Sequence, residues 1–186
     1  MTEIELKYEV NGVTIKQVLK KANDMGLNMG KRLHEKTVMF DNPSGLMQIT
    51  DGRVRLRQTG DEVEFSYKKP ISRNGIKKEI EYETKVGDFK IIEKILNKME
   101  FKAVSSYERY RTTIKNSSVK ITIDEFPFTS FIEIEGTRQN ILEMSKKLGL
   151  EKMTNITQSC DSLFQEWRKK RGLAYKPHMR FYDFNK

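Results

Sequence analysis

Charged and apolar residues alternate along much of this chain, and the charges come in like-signed pairs and triplets. Glu3 and Glu5 lie two apart, as do Glu79, Glu81 and Glu83, and Glu133 and Glu135. Arg53, Arg55 and Arg57 repeat the spacing, and so do Arg109 and Arg111. Carboxylates are hard oxygen donors that suit Mg²⁺ or Mn²⁺. Guanidiniums grip phosphate oxygens two at a time, and lysines neutralise them as point charges. A ligand that needs both signs in one place is a triphosphate carrying divalent metal ions. A surface built only for nucleic acid has no use for the carboxylates Glu3, Glu5, Glu64, Glu79, Glu81, Glu83, Asp124, Glu133 and Glu135 among its cations.

Other chemistries lack their residues. The two histidines, His34 and His178, are far apart and without metal-ligand spacing. The sequence has no Walker A loop, GxGxxG run, CxxC pair or nucleophile elbow. Paired carboxylates also serve glycosidases, but the basic strands between them argue against a neutral sugar.

The elements that position these charges follow from their period. Successive strand residues face opposite sides of a sheet, so spacing of two collects a strand's charges on one face. Eight segments read this way: 3–8, 35–41, 53–57, 63–68, 79–83, a pair of strands around Arg109 and Arg111 and around Lys120, Thr122 and Asp124, and 131–135. One shared face receives Glu3, Glu5, Lys7, Arg53, Arg55, Arg57, Lys68, Glu79, Glu81, Glu83, Arg109, Arg111, Asp124, Glu133 and Glu135. The other is apolar. Four helical stripes are available to cover it: 13–27, 88–99, 138–148 (with Gly149 as its C-terminal stop) and 158–171. Cys160 lies on the last stripe and reads as core rather than nucleophile.

One strand with a charged face is ordinary for an antiparallel sheet. Repetition over eight strands is not, because like charges two apart on a face repel. At about 4 Å and an effective dielectric near 20, each pair costs up to ~4 kcal/mol. Opposite charges on neighbouring strands and a bound metal polyphosphate both relieve that cost. The expected fold is therefore α+β: a closed eight-stranded antiparallel barrel with a charged lumen and amphipathic helices outside. Eight strands leave room for one small ligand, and closure removes sheet edges.

At 186 residues with no low-complexity segment the chain reads as one domain, 1–171, followed by a basic tail, 172–186. The net charge of +9 is mostly a C-terminal matter, since residues 167–186 hold seven cations against Asp183. A basic end of this kind is expected to be solvated and dispensable for chemistry, and nucleic acid is not the expected partner. The single cysteine fits a reducing compartment. No apolar run approaches a membrane span, and the charged N-terminus does not resemble a signal peptide. The expected location is cytoplasmic, with no membrane partner, and a homodimer is one of the oligomeric states left open.

The order of the motifs resembles the CYTH superfamily, the triphosphate tunnel metalloenzymes. Glu3-x-Glu5-x-Lys7 is similar to its ExExK signature, and Val54-Arg55-Leu56-Arg57 to its LRxR strand. Tyr67-Lys68-Lys69-Pro70, Glu79-x-Glu81, Arg109-x-Arg111 and Asp124 followed by Phe131-Ile132-Glu133-Ile134-Glu135 resemble the succeeding motifs, over about residues 1–165. The resemblance implies metal ligands Glu3, Glu5, Asp124, Glu133 and Glu135 for Mg²⁺ or Mn²⁺. It implies phosphate contacts from Lys7, Arg55, Arg57, Lys68, Arg109 and Arg111, with Arg111 and Lys68 nearest the chemistry. The chain departs from the pattern at Lys69 (usually glycine), Arg109 (lysine), Cys160 (tyrosine), Pro127 to Ser130 (Leu-Gly) and the additional Arg53. Its second strand has Thr37 nearest the usual aspartate. Single-domain length resembles the class IV adenylyl cyclase branch, which converts ATP to cyclic AMP and pyrophosphate. Thiamine or inorganic triphosphatase activity is the alternative enzyme, and a non-catalytic polyphosphate- or nucleic-acid-binding module the alternative to an enzyme.

Overall fold

The alternating segments form the strands β1 (Thr2–Val10), β2 (Asn28–Asp41), β3 (Arg53–Thr59), β4 (Glu62–Ser72), β5 (Lys77–Val86), β6 (Lys102–Lys115), β7 (Val119–Glu125) and β8 (Ser130–Gly136). This computed structural model describes residues 2–72 and 76–184, the side chains of residues 2 and 3 excepted. The strands pair in the order β2-β3-β4-β5-β1-β8-β7-β6, all antiparallel, and β6 returns to pair with β2. The sheet is thus a closed eight-stranded barrel. The closing seam is long, running from Asn28 against Lys115 to Asp41 against Lys102, with two register shifts. Such irregularities bend a strand and help a sheet curve into a barrel.

Five helices accompany the barrel: α1 (Gly12–Asp24), α2 (Leu46–Thr50), α3 (Phe89–Lys98), α4 (Arg138–Leu148) and α5 (Cys160–Lys169). Asn11, Asp88, Thr137 and Ser159 cap α1, α3, α4 and α5 by accepting backbone N–H bonds. Gly149 ends α4 in the left-handed region, as its position in the sequence suggests. Val18 and Ala22 of α1 and Ile141, Met144 and Leu148 of α4 pack on the outer faces of β1, β7 and β8 through Leu6, Tyr8, Ile121, Ile123, Ile132 and Ile134. α3 covers β2, β3 and β4 with Phe89, Ile92 and Leu96. Its Ile95 and Met99, expected on the buried stripe, are exposed.

α5 departs from the expected outer layer. Phe164, Leu163 and Trp167 pack on Phe126, Phe128 and Phe131. This places Ser159, Cys160 and Asp161 against the lumen. The reason is local: β7 ends and β8 begins in aromatic residues, and an apolar helix face finds its largest partner there. The described part of the tail is also built into the fold. His178–Met179 forms β9, parallel to β6 at Ser106 and Tyr107, beyond the point where β7 stops pairing. Met179 is only 1% exposed. Phe184 packs on Phe164 and Trp167. Among the described residues no helix is long and apolar enough to cross a membrane.

Candidate functional site

The inward faces of the strands enclose a cavity of about 290 Å³ lined mostly by charged side chains, with Tyr107, Phe126 and Phe131 among the rest. Lys7, Arg53, Arg55, Arg57, Lys68, Lys77, Arg109, Arg111 and Lys120 meet Glu5, Glu35, Glu64, Glu79, Glu83, Glu133, Glu135 and Asp161 there. A volume of that order lies at the lower end for small-molecule pockets. The two signs are partly sorted by strand pairing.

One group belongs to β1, β8 and the start of β5. Glu5 pairs across with Glu135 on one side and Lys77 on the other, and Lys7 with Glu133. Lys77 Nζ lies 2.9 Å from Glu5 and 2.7 Å from Glu79. Lys7 Nζ lies 3.3 Å from Glu133 and donates to the Gln158 carbonyl at 3.2 Å, tying the lumen to the segment before α5. Lys120 pairs with Glu135, and Arg53 with Glu79. Burial and the nearby Glu133 carboxylate raise the Glu5 pKa above the ordinary glutamate value. Burial also works against Glu133, but Lys7 and Arg111 outweigh it and hold that carboxyl far below its usual range. Two carboxylates crowded so that one is harder to ionise form a place where added positive charge is favoured.

The second group spans β2, β3 and β6. Arg57 and Arg109 flank Glu35, with Arg109 Nη2 2.6 Å and Arg57 Nε 3.7 Å from its Oε2. Arg111 holds Asp124 through two bonds of 2.6 and 2.5 Å, and Arg109 adds a third at 2.9 Å. Arg55 reaches Glu64 at 2.7 Å and Ser66 at 3.0 Å, and Lys68 reaches Glu81 at 2.7 Å. Burial, then Arg55 and Arg109, lower the Arg57 pKa to about 10. The Arg57 Nε is buried and, among the described residues, makes no hydrogen bond. Burial alone would raise the Tyr107 phenol, yet Arg109, Arg57 and Arg55 bring it below its ordinary value. These signs mark Arg57 as the cation least served by anions, whereas, despite burial, Asp124 and Glu35 hold the Arg109 and Arg111 pKa values above their ordinary range.

Of the residues expected from sequence, Lys7, Arg55, Arg57, Lys68, Arg109, Arg111, Glu5, Glu133 and Glu135 face one lumen. Glu3 pairs with Glu79 along β1, and its side chain lies outside the described residues. Asp124 is different: it is 1% exposed and both its oxygens are held by guanidiniums, beneath the lining rather than on it. Its three guanidinium bonds anchor Arg109 and Arg111. Glu35, Lys77 and Asp161 were missed. Lys77 stands two before Glu79 and continues its parity, so a longer β5 would have found it. Glu35 shares its face with Thr37 and Met39, in the segment of weakest alternation. Burial raises the Asp161 carboxyl and, together with Asp161, pushes the Cys160 thiol well up, so the thiol is protonated where it lines the cavity.

Among the described residues no three of His, Cys, Asp and Glu form a metal cage. Mg²⁺ does not require one, since it usually takes one or two protein carboxylates and completes its shell with water and phosphate. Glu5, Glu133 and Glu135, adjacent across β1 and β8, fit that demand.

A charged lumen inside a closed antiparallel barrel is the architecture of a triphosphate tunnel. The CYTH domain model matches residues 1–176, and the chain belongs to that family. A relative from Methanocaldococcus jannaschii, named "Putative adenylate cyclase MJ0240", is 25% identical over 157 residues, 84% of this chain and 87% of that protein. A structure of a "putative adenylate cyclase" from Vibrio parahaemolyticus superposes with a TM-score of 0.75 at 15% identity, covering 89% of this chain and 98% of that one. A Hippeastrum protein, described as a "putative adenylyl cyclase" with "a dominant triphophatase activity", superposes with a TM-score of 0.64 at 16% identity, covering 93% and 97%. At these identities the two structures establish the shared fold.

Proposed function

We propose that this chain is a metal-dependent enzyme acting on a triphosphate held inside the barrel. The observation that carries the reading is the Arg55–Arg57–Arg109 cluster, whose mutual repulsion, and whose Arg57 Nε without a hydrogen bond among the described residues, are relieved by phosphate oxygens. Arg57, Arg109 and Arg111 bind the phosphoryl groups, with Lys7, Arg55 and Lys68 continuing the cationic lining. Glu5, Glu133 and Glu135, with Glu3 from the same strand, hold Mg²⁺ or Mn²⁺. The bound ion neutralises phosphate charge and acts as a Lewis acid. Arg111 is fixed by Asp124, so its remaining donor edge stays aimed at the lumen and stabilises charge on the reacting phosphoryl without reorganising. Lys68, steadied by Glu81, does the same from the opposite wall.

The first reading of the reaction is adenylyl cyclisation, in which the ribose 3′-hydroxyl attacks the α-phosphate and pyrophosphate leaves. The name of the M. jannaschii relative supports it. The second is hydrolysis of the terminal phosphate, favoured by a cavity of about 290 Å³ in which charged side chains outnumber the aromatic Tyr107, Phe126 and Phe131. Incubation with ATP, thiamine triphosphate and tripolyphosphate, each with Mg²⁺ or Mn²⁺, distinguishes them by product. Cyclic AMP with pyrophosphate supports the first, and orthophosphate supports the second. No turnover of any triphosphate contradicts the enzyme reading. A cytoplasmic location and free nucleotide or polyphosphate substrates, without a membrane partner, complete the proposal.

A further inference from the structure

We propose that Glu35 is a resident competitor of the substrate, a carboxylate seated in the anion subsite that a phosphoryl group must displace; this rests on reading the lumen as a triphosphate site. Glu35 Oε2 accepts from Arg109 Nε at 2.7 Å, and lies 3.7 Å from Arg57 and 4.0 Å from Arg111. Its Oε1 accepts from the Thr59 hydroxyl at 3.2 Å. Among the described residues it is the lining carboxylate that touches all three of these guanidiniums. Asp124 holds Arg109 and Arg111 from beneath the surface, and Glu133 reaches only Arg111 of the three.

A carboxylate has two oxygens and each guanidinium has five N–H donors, so Glu35 leaves donors of the three arginines unmet even with Glu64 3.5 Å from Arg57 Nη1. The shortfall is visible. Arg57 Nε is buried and has no hydrogen-bond partner among the described residues, nor has the hydroxyl of Thr37, its register partner on β2. A phosphoryl group brings three oxygens and more charge to the same place. It cannot share that place with Glu35, because two anions a few ångströms apart in a buried site repel. The glutamate stem can swing, whereas Arg109 and Arg111 are held from below by Asp124. Glu35 therefore keeps the cations together before substrate enters, and its displacement subtracts from substrate affinity.

The test is calorimetric binding of sodium tripolyphosphate to the full chain, in EDTA and again in Mg²⁺, for wild type, Glu35→Gln, Glu35→Asp and Arg57→Ala. Glu35→Gln keeps the shape without the charge, and its Kd is expected to fall about tenfold or more under both conditions. Glu35→Asp retracts the carboxylate by one methylene and should tighten binding by about threefold. Arg57→Ala should weaken it. Unchanged or weaker binding by Glu35→Gln, with Arg57→Ala still weakening, overturns the competitor role and leaves the lumen reading standing. Wild type that does not bind, or that binds as Arg57→Ala does, overturns both. If Glu35→Gln does not fold, Glu35→Asp decides: tighter binding supports the proposal and equal or weaker binding refutes it.

Discussion

Truncation after Arg171 removes a segment that sequence composition marks as a solvated basic end. The packing predicts a different outcome. Met179 is 1% exposed, and burying a side chain of its size contributes about 1.5–3 kcal/mol. Its loss also opens a hole beside Tyr107, which brings deletions of this kind to about 2–5 kcal/mol. The Phe184 ring sits 5.5 Å from Trp167 and 6.1 Å from Phe164, adding about 0.5–1.5 kcal/mol. The Ser106 N–H loses its acceptor, the Pro177 carbonyl, and the Glu108 carboxylate loses the Phe181 N–H. A loss within the range of the Met179 deletion, about 3 kcal/mol, is expected, or about 6–12 °C in Tm for a chain of this size. Turnover should fall as well, because Tyr107 and Phe131 belong to the same aromatic cluster and line the lumen. Thermal melts of the truncated and full chains, with Met179→Ala alongside, check the magnitude. A truncated chain that melts within about 2 °C of the full one refutes the packing argument.

Arg111→Ala should lower Tm markedly, since breaking one partner of a buried pair costs about 3–5 kcal/mol and Asp124 would keep only Arg109. Glu135→Gln, beside Glu5 and partly exposed, should keep or gain stability while turnover drops steeply; melts and kinetics that leave both variants like wild type would contradict a charged functional lumen. Acid should destabilise the fold in a defined window. Glu35 is lowered from 4.5 to about 2 because Arg109, Arg57 and Arg111 outweigh its burial, so its contribution is complete above pH 4.5 and disappears as pH falls through about 2. Glu133, Glu79 and Glu64 shift in the same direction, whereas Glu5 shifts upward and gains from protonation. Melts from pH 7 to 2 should therefore decline mainly below pH 4.5, and a decline complete by pH 5 would contradict the assignment.

The barrel was legible because its lumen is charged. Alternation assigned Arg55 and Arg57, Glu133 and Glu135, and Arg109 and Arg111 to one face without knowledge of any pairing. Depth was not legible: Asp124 has the same parity as its neighbours, and only the pairing of β6 with β7 puts it under Arg111 instead of into the cavity. The ends of strands were also hidden. β2 and β6 run longer than their alternating cores because the closing seam continues past them, and that seam brings Glu35 to Arg109. α5 kept its helical period, but its position at the end of the barrel was set by the aromatic residues Phe126, Phe128 and Phe131, which no periodicity relates to Phe164.

A structure of the protein grown with Mn²⁺ and tripolyphosphate tests the central claim most directly. Anomalous scattering from Mn²⁺ is expected against Glu5, Glu133 and Glu135, with phosphate oxygens within hydrogen-bond distance of Arg57, Arg109 and Arg111. Phosphate bound instead on the outer surface, at the basic residues 168–171, with the lumen side chains in the ion pairs described above, would contradict it.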